Sequence, residues 1–283
     1  MSLTNESVAV VTGAASGIGR ALAVRLAQET MTGIAISDVN EAGLEETARL
    51  IARPNLQIST HNVNVSDFEK MKIFRDDVLA QHGRVTHVIN NAGVSLFGTV
   101  EEITFDDFKW LFDINFWGTV YGTKLFLPVL REQPFSSHIV NISSVFGFVA
   151  PPGNAPYAAS KFAVRGFTEA LRHELQDSNI AVSTVHPGGV ATNIARDGRV
   201  GANANAKTKE ESVKFHTRTS KTTADEAAET IVNGIKNRKK RILIGADALM
   251  IDIVHRLFPE NYLFVLDLFS GGALSGLQKK TKQ

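Results

Sequence analysis

Seven short runs rich in β-branched residues recur along the chain between segments of helical periodicity: "SVAVVT" (7–12), "TGIAISD" (32–38), "LQISTHNVNV" (56–65), "VTHVIN" (85–90), "SHIVNIS" (137–143), "IAVSTVH" (180–186) and "RILIG" (241–245). Runs this apolar leave no face for water, so they read as strands buried on both sides, with the helical segments as their cover. The expected fold is α/β, a Rossmann-like doubly wound seven-stranded parallel sheet with helices on both faces. In "SDFEKMKIFRDDVLAQHG" (66–83) the helical pattern is plain: Ser66 and Glu69 form a capping box, Phe68, Met71, Phe74 and Val78 share a stripe, and Gly83 is the stop. The alternation ends at residue 245, so the 283 residues are expected to divide into one main domain over 1–245 and an apolar helical extension with a basic tail over 246–283.

Bulk chemistry narrows the function by exclusion. A formal net charge of +1 offers no field for nucleic acid. With no Cys there is neither a disulfide nor a thiolate metal site, and the eight His are scattered rather than set at ligand spacing, so no metal is expected. The start "MSLTNES" has no signal character and no apolar run reaches the ~18 residues of a membrane span, so a cytoplasmic protein is expected.

Directly after the first run stands "TGAASGIGRA" (12–21), with Gly13, Gly17 and Gly19 spaced G-x-x-x-G-x-G at the turn into a helix. Glycine there lets the backbone approach a pyrophosphate, whose charge the helix N-terminus favours. The second run ends in Asp38, placed to accept hydrogen bonds from adenosine ribose hydroxyls and to repel a 2′-phosphate, while Val39 supplies no cation. NAD is therefore expected in preference to NADP. Asp38 is free for this because Asn40 takes the N-cap of the next helix.

In "NAPYAASKFAV" (154–164), Tyr157 and Lys161 stand one helical turn apart among small residues. An ammonium beside a phenol favours the phenolate and draws its pKa down from about 10, which suits an acid or base working near neutral pH.

Read in order, Thr12 to Gly19, "NNAG" at Asn90 to Gly93, Asn115, Ser144, Tyr157 and Lys161 resemble the short-chain dehydrogenase/reductase family over about the first 245 residues. The resemblance implies an oxidoreductase moving a hydride between a nicotinamide and a secondary alcohol or ketone, with Tyr157 as acid/base, Lys161 as its partner, Ser144 (not Ser143) orienting the substrate oxygen, and Asn115 sustaining a proton-relay water. It also implies cofactor contacts at Gly13, Ser16, Gly17, Ile18 and Gly19, at Asn64 and Val65 beside the adenine, and at Asn91 and Gly93 beside a ribose. "HPGGVAT" (186–192) would meet the nicotinamide carboxamide through Pro187, Val190 and Thr192, while Tyr157 and Lys161 also touch the cofactor. Many relatives have Asp where this chain has Asn64, and an amide still offers a donor and an acceptor. The other reading is a dinucleotide-responsive binding protein without chemistry, which has no need of Tyr, Lys and Ser together.

Residues 194–222 are polar and weakly periodic, and read as a loop closing over substrate, with Phe215 as an apolar contact. Phe146, Phe148, Val149 and Pro151 are expected to line the opposite wall, favouring an apolar or aromatic alcohol or ketone. In the extension, Leu249, Ile253 and Leu257 share one side ahead of Lys279, Lys280 and Lys282. Packing on the body or on a partner subunit is favoured there over peripheral membrane contact. By the resemblance, the helices holding Asn115 and Tyr157 build a homodimer, and a homotetramer is the alternative.

Overall fold

The protein, described by a computed structural model over residues 3–205 and 207–269, is built on strands β1 (Val8–Thr12), β2 (Gly33–Asp38), β3 (Gln57–Asn62), β4 (His87–Asn90), β6 (Ser137–Ile142), β7 (Ile180–Pro187) and β11 (Arg241–Ile244). Four two-residue strands, β5 (Leu96–Phe97), β8 (Val190–Ala191), β9 (Arg199–Val200) and β10 (Thr222–Thr223), pair outside the main sheet as β5 with β9 and β8 with β10. The helices are α1 (Gly17–Ala27), α2 (Glu41–Ile51), α3 (Phe68–His82), α4 (Phe105–Phe112), α5 (Gly118–Glu132), α6 (Ala155–Glu174), α7 (Lys207–Thr219), α8 (Ala224–Lys236), α9 (Ala246–Leu257) and α10 (Tyr262–Phe269).

The seven long strands form one sheet in the order β11-β7-β6-β4-β1-β2-β3, every pair parallel. This is the expected doubly wound sheet. Strands β1, β4 and β6 run fully buried, because helices cover both faces. On one face Leu22, Leu26, Ile34, Ile36 and Ile231 pack into one cluster; on the other Met71, Phe74, Phe126, Leu130 and Leu171 form a second. From β1 the chain steps outward to β2 and β3, then returns to β4 on the other side of β1. The strand order reverses there, which opens a crevice beyond the carboxyl ends of β1 and β4.

Two expectations change locally. The N-cap of α3 is Asp67, whose side chain accepts from Lys70 N at 3.1 Å, and not Ser66. Ser66 instead gives both its N–H and its hydroxyl to Asn64 Oδ1, an Asx-type turn that moves the helix start on by one residue. Along α3, Met71, Phe74 and Val78 are buried, while Phe68 at the first turn stays exposed against Tyr121; Gly83 ends the helix at φ +71°.

The region read as a loop over 194–222 holds β9, β10 and the helix α7. No residue of α7 is buried, so it carries no apolar stripe for periodicity to detect; the Lys214–Glu210 pair at 2.6 Å is one of its surface ties.

The extension runs through α9 and α10 to the last described residue. Ala248, Asp252, Val254 and Leu266 are buried, and Tyr262 and Val265 pack with them against Phe148 and Val149 of the body. Leu249, Ile253 and Leu257 are not covered by the body of this chain, because Asp252 turns inward to pair with Arg241. Lys279, Lys280 and Lys282 lie outside the described residues. No described helix is long and apolar enough to cross a membrane.

Candidate active site

The glycine turn between β1 and α1 is shaped for an anion. Gly13 and Gly17 have φ of +66° and +54°, a region that disfavours any side chain. A Cβ on Gly19 would collide with the Gly13 carbonyl, so α1 begins as close to the turn as backbone allows. Ser16 is the N-cap of α1 but makes no side-chain cap, so the first amides of the helix, including those of Gly17 and Ile18, are not taken by its hydroxyl. The Ile18 side chain packs on the core below.

Asn91 fastens this turn from the neighbouring strand end. Its amide donates to Thr12 O at 2.9 Å and to Gly13 O at 3.1 Å, while Thr12 Oγ1 accepts from Asn91 N and Ala92 N. The Asn91 amide hydrogens are thus spent on the turn, and the expected ribose contact falls to its remaining groups. Asp38 closes the crevice on the other side: Oδ2 accepts from Ala15 N at 3.1 Å and Oδ1 from Asn40 N at 3.0 Å, with lone pairs to spare. Asn40 caps α2 as expected, accepting from Gly43 N. Val65 is buried against Gly118, and Asn64 is exposed with Oδ1 committed to Ser66, so these two offer an adenine chiefly main chain and the Asn64 amide.

Pro187, the last residue of β7, and Val190 beyond it are buried, and Gly188, Gly189 and Thr192 are partly open. The Thr192 methyl lies against Gly17, which brings this segment to the glycine turn. The extension takes part here: Asp247, in the first turn of α9, accepts from Gly189 N at 2.7 Å.

The four expected catalytic residues converge at the start of α6. Pro156 sits at the first turn of this helix, where its missing N–H costs nothing, and Tyr157 follows, partly open to solvent. Ser144 opens a short 3-10 turn over Val145–Gly147; its Oγ accepts from Phe146 N at 3.1 Å and hydrogen-bonds the Tyr157 hydroxyl. With Phe146 N–H on one acceptor site, Ser144 Oγ keeps a second lone pair and its own proton for a partner on the Tyr157 side. The adjacent Ser143 is spent elsewhere, donating to Lys161 O at 2.8 Å. The Phe146 ring stands edge-on to Tyr157 at 5.9 Å, whereas Phe148 and Val149 are buried under the extension and do not line the mouth.

Asn115 lies in a π-helical turn, Asp113–Trp117, a local widening common at functional sites. Its amide donates to Val94 O at 3.0 Å and Ser160 Oγ at 3.2 Å, and its oxygen accepts from Val94 N at 2.8 Å. Ser160 in turn donates to Tyr157 O at 2.7 Å. Asn115 therefore ties the β4 loop to the first turn of α6.

Electrostatics depart from the sequence expectation at Tyr157. Burial pushes its phenol up to about 12, opposed in part by the Ser144 hydrogen bond. The Lys161 ammonium, 5.7 Å from the Tyr157 ring centre, donates to Ile142 O at 3.1 Å and is itself driven down to about 8 by burial. Spacing put the two residues on one helix face; it did not show that Lys161 is turned to the strand end, leaving desolvation to dominate the phenol.

Keeping a lysine buried costs stability. Its native pKa is depressed, so the unfolded chain binds more protons between about 8 and 10.5 and wild-type stability rises with pH across that window. Lys161→Met is expected to raise Tm at pH 7 by roughly 5 °C, a gain that shrinks as pH passes from 8 to 10. Thermal melts of both proteins over that range check it.

Residues that sequence reading missed hold the frame. Asn90 and Asn141 are cross-strand neighbours, with Asn90 donating to Asn141 Oδ1 at 2.8 Å and to Thr123 Oγ1 at 3.1 Å, and Asn141 donating to Thr168 Oγ1 at 3.0 Å. Asn90 sits in the "NNAG" run, which was the one available signal; nothing in the sequence gave the register that pairs it with Asn141.

The profile of the family described as short chain dehydrogenase matches residues 7–203. A protein named "Putative oxidoreductase SadH" from Mycobacterium tuberculosis is 41% identical over 264 residues, 93% of this chain and 94% of that one. Among solved structures, a short chain dehydrogenase/reductase from Burkholderia phymatum in complex with NAD is 30% identical, with a TM-score of 0.83 over 92% of this chain and 96% of that one. A short chain dehydrogenase from Mycobacterium paratuberculosis bound to NAD is 29% identical, with a TM-score of 0.74 over 86% and 97%.

Proposed function

Because this chain belongs to the short chain dehydrogenase family, we propose that, within the NAD(P)-dependent oxidoreductase chemistry of that family, it uses NAD to interconvert a secondary alcohol and its ketone with Tyr157 as the acid/base. The observation that carries this reading is the convergence of Ser144, Tyr157 and Lys161: the Phe146 N–H that holds Ser144 Oγ belongs to the residue whose ring meets Tyr157, and Lys161 Nζ lies 5.7 Å from the Tyr157 ring centre.

The residues present fit a dinucleotide. Gly13 and Gly17 supply the positive φ, the first turn of α1 supplies amides for a pyrophosphate, and a Cβ at Gly93 would crowd Asn115 Oδ1 and Lys161 Nζ where a ribose would rest. When bound, the nicotinamide supplies the site that accepts or gives the hydride. Everything else falls to the chain. Ser144 Oγ orients the substrate oxygen, and Tyr157 takes the hydroxyl proton in oxidation or returns it in reduction. With its phenol held high, Tyr157 is protonated at neutral pH, the form that donates in carbonyl reduction; oxidation needs the phenolate and speeds up as pH rises.

Phe146 beside Tyr157 favours an apolar or aromatic substrate, with α7 closing over it. A homodimer through α6 and through α5 with the π-turn that leads into it fits the exposure of Trp117 on that turn and Phe162 on α6. The default compartment for the reading is the cytoplasm.

NAD preference rests on Asp38 and Val39. Asp38→Ser with Val39→Arg is expected to weaken NAD and strengthen NADP, each by roughly tenfold, as a 2′-phosphate gains a charge-assisted partner. Calorimetric titration with both dinucleotides tests it, and a double variant with unchanged selectivity overturns the assignment.

A further inference from the structure

The turn carrying Ser144 is held from behind by a side chain that the mechanism above does not use. His186, near the end of β7, is fully buried, and its Nδ1 lies 3.1 Å from Ser144 O. A carbonyl only accepts, so the imidazole proton sits on Nδ1 and is donated there. The same oxygen accepts from Gly147 N at 2.9 Å, and the two donors together fix the peptide plane that follows Ser144. That peptide leads into the turn whose Phe146 N–H holds Ser144 Oγ and whose Phe146 ring meets Tyr157.

The other imidazole nitrogen argues that this donor is why a histidine stands here. His186 Nε2 is buried with no hydrogen-bond partner, a cost that an apolar side chain in the same space would avoid. The ring plane is set by Phe148 at 4.2 Å. Phe148 in turn lies under the Arg241 guanidinium, 4.5 Å from its ring centre, and Asp252 of α9 holds Arg241 from both terminal nitrogens.

We propose that His186 is a positioning residue: its Nδ1–H fixes the Ser144 peptide and thereby aims Ser144 Oγ at the Tyr157 hydroxyl, with the Phe148–Arg241–Asp252 stack holding the imidazole in plane. The inference rests on the roles proposed for Ser144 and Tyr157, so its test includes a readout that needs no turnover.

Three variants separate donor from filler. His186→Asn keeps an N–H close to the Nδ1 position, His186→Gln carries its amide one carbon further, and His186→Leu fills space without a donor. The full-length chain, labelled with [13Cζ]tyrosine and saturated with NAD, reports hydrogen bonding at Tyr157, whose resonance is assigned by its loss in Tyr157→Phe. Expected is a displaced Tyr157 resonance in the Leu and Gln variants, in the direction seen for Ser144→Ala, and its return toward wild type in the Asn variant. On an accepted alcohol, kcat is expected to fall at least tenfold in the Leu variant at unchanged KM for NAD, and to recover with Asn. A Leu variant matching wild type in both readouts, or Asn and Gln variants displaced alike, overturns the proposal; the Asn–Gln contrast decides should the Leu variant fail to fold. Absence of turnover in the wild-type chain, with the resonances moving as expected, counts against the proposed reaction and leaves the role of His186 supported.

Discussion

Replacing Tyr157 by Phe is expected to lower kcat by about 10³-fold while leaving the Kd for NAD within about twofold of wild type. The phenyl ring keeps its contact with Phe146, and the glycine turn, Asp38 and Asn91 lie on other elements, so the dinucleotide site stays intact. Only the proton route is removed. Ser144→Ala is expected to cost less, about 10²-fold, since it takes away a hydrogen bond that favours the phenolate but leaves the phenol in place. The direction of the Tyr157 shift adds a pH signature. With the phenol held up toward about 12, kcat/KM for alcohol oxidation is expected to climb with pH through 9, while carbonyl reduction stays flat there. Steady-state rates in both directions between pH 6 and 9 check this, and equal activity in wild type and Tyr157→Phe would remove Tyr157 from the chemistry.

The second large effect is acid lability. His87 and His138 are cross-strand neighbours on β4 and β6 with ring centres 6.4 Å apart, and burial holds them at about 4 and about 3; His186 is likewise held at about 3. All three are neutral in the native state and titrate at 6.5 once unfolded. The unfolded chain therefore binds more protons as pH falls below 6.5, and native stability drops across the window from 6.5 down toward 4. Each group withdraws on the order of 2 to 3 kcal/mol by pH 4.5, so together they match a large part of the 5–15 kcal/mol that typically holds a domain folded. Unfolding is expected with a midpoint between pH 4 and 5.5, at the upper end of the carboxylate range or above it. His138→Gln, which keeps a donor for Ser183 Oγ without a titrating ring, is expected to move the midpoint down by about half a pH unit. Circular dichroism against pH checks both, and a midpoint unmoved by the substitution would place the acid sensitivity elsewhere.

The sheet was legible because its inner strands are separate apolar runs, the pattern a parallel sheet covered on both faces requires; at the edge, β3 and β11 are only partly buried, so the both-sides expectation does not hold there. The glycine turn and the Asp38 strand end were legible for a similar reason, since local backbone demands dictate residue type there. What stayed hidden lies across the chain. That Asn91 spends its amide on the glycine turn, that Asn115 braces Val94 and Ser160, and that Lys161 turns to Ile142 O all depend on register and rotamer, which spacing does not encode. Helix α7 escaped because none of it is buried, so amphipathicity had nothing to report. In α9, periodicity found the apolar face that Leu249, Ile253 and Leu257 share, but not that Asp252, paired with Arg241, turns the other face onto the body.

The central claim, that Tyr157 serves hydride exchange between a carbinol and a nicotinamide, is tested most directly by isotope transfer. Secondary alcohols deuterated at the carbinol carbon would be incubated with NAD and the full chain, and the reduced cofactor read by NMR, with Tyr157→Phe in parallel. Deuterium at C4 of the nicotinamide, on one face only and absent from the Tyr157→Phe reaction, is the predicted result. Saturable NAD binding with no deuterium transferred from any alcohol, or transfer undiminished in Tyr157→Phe, would contradict it.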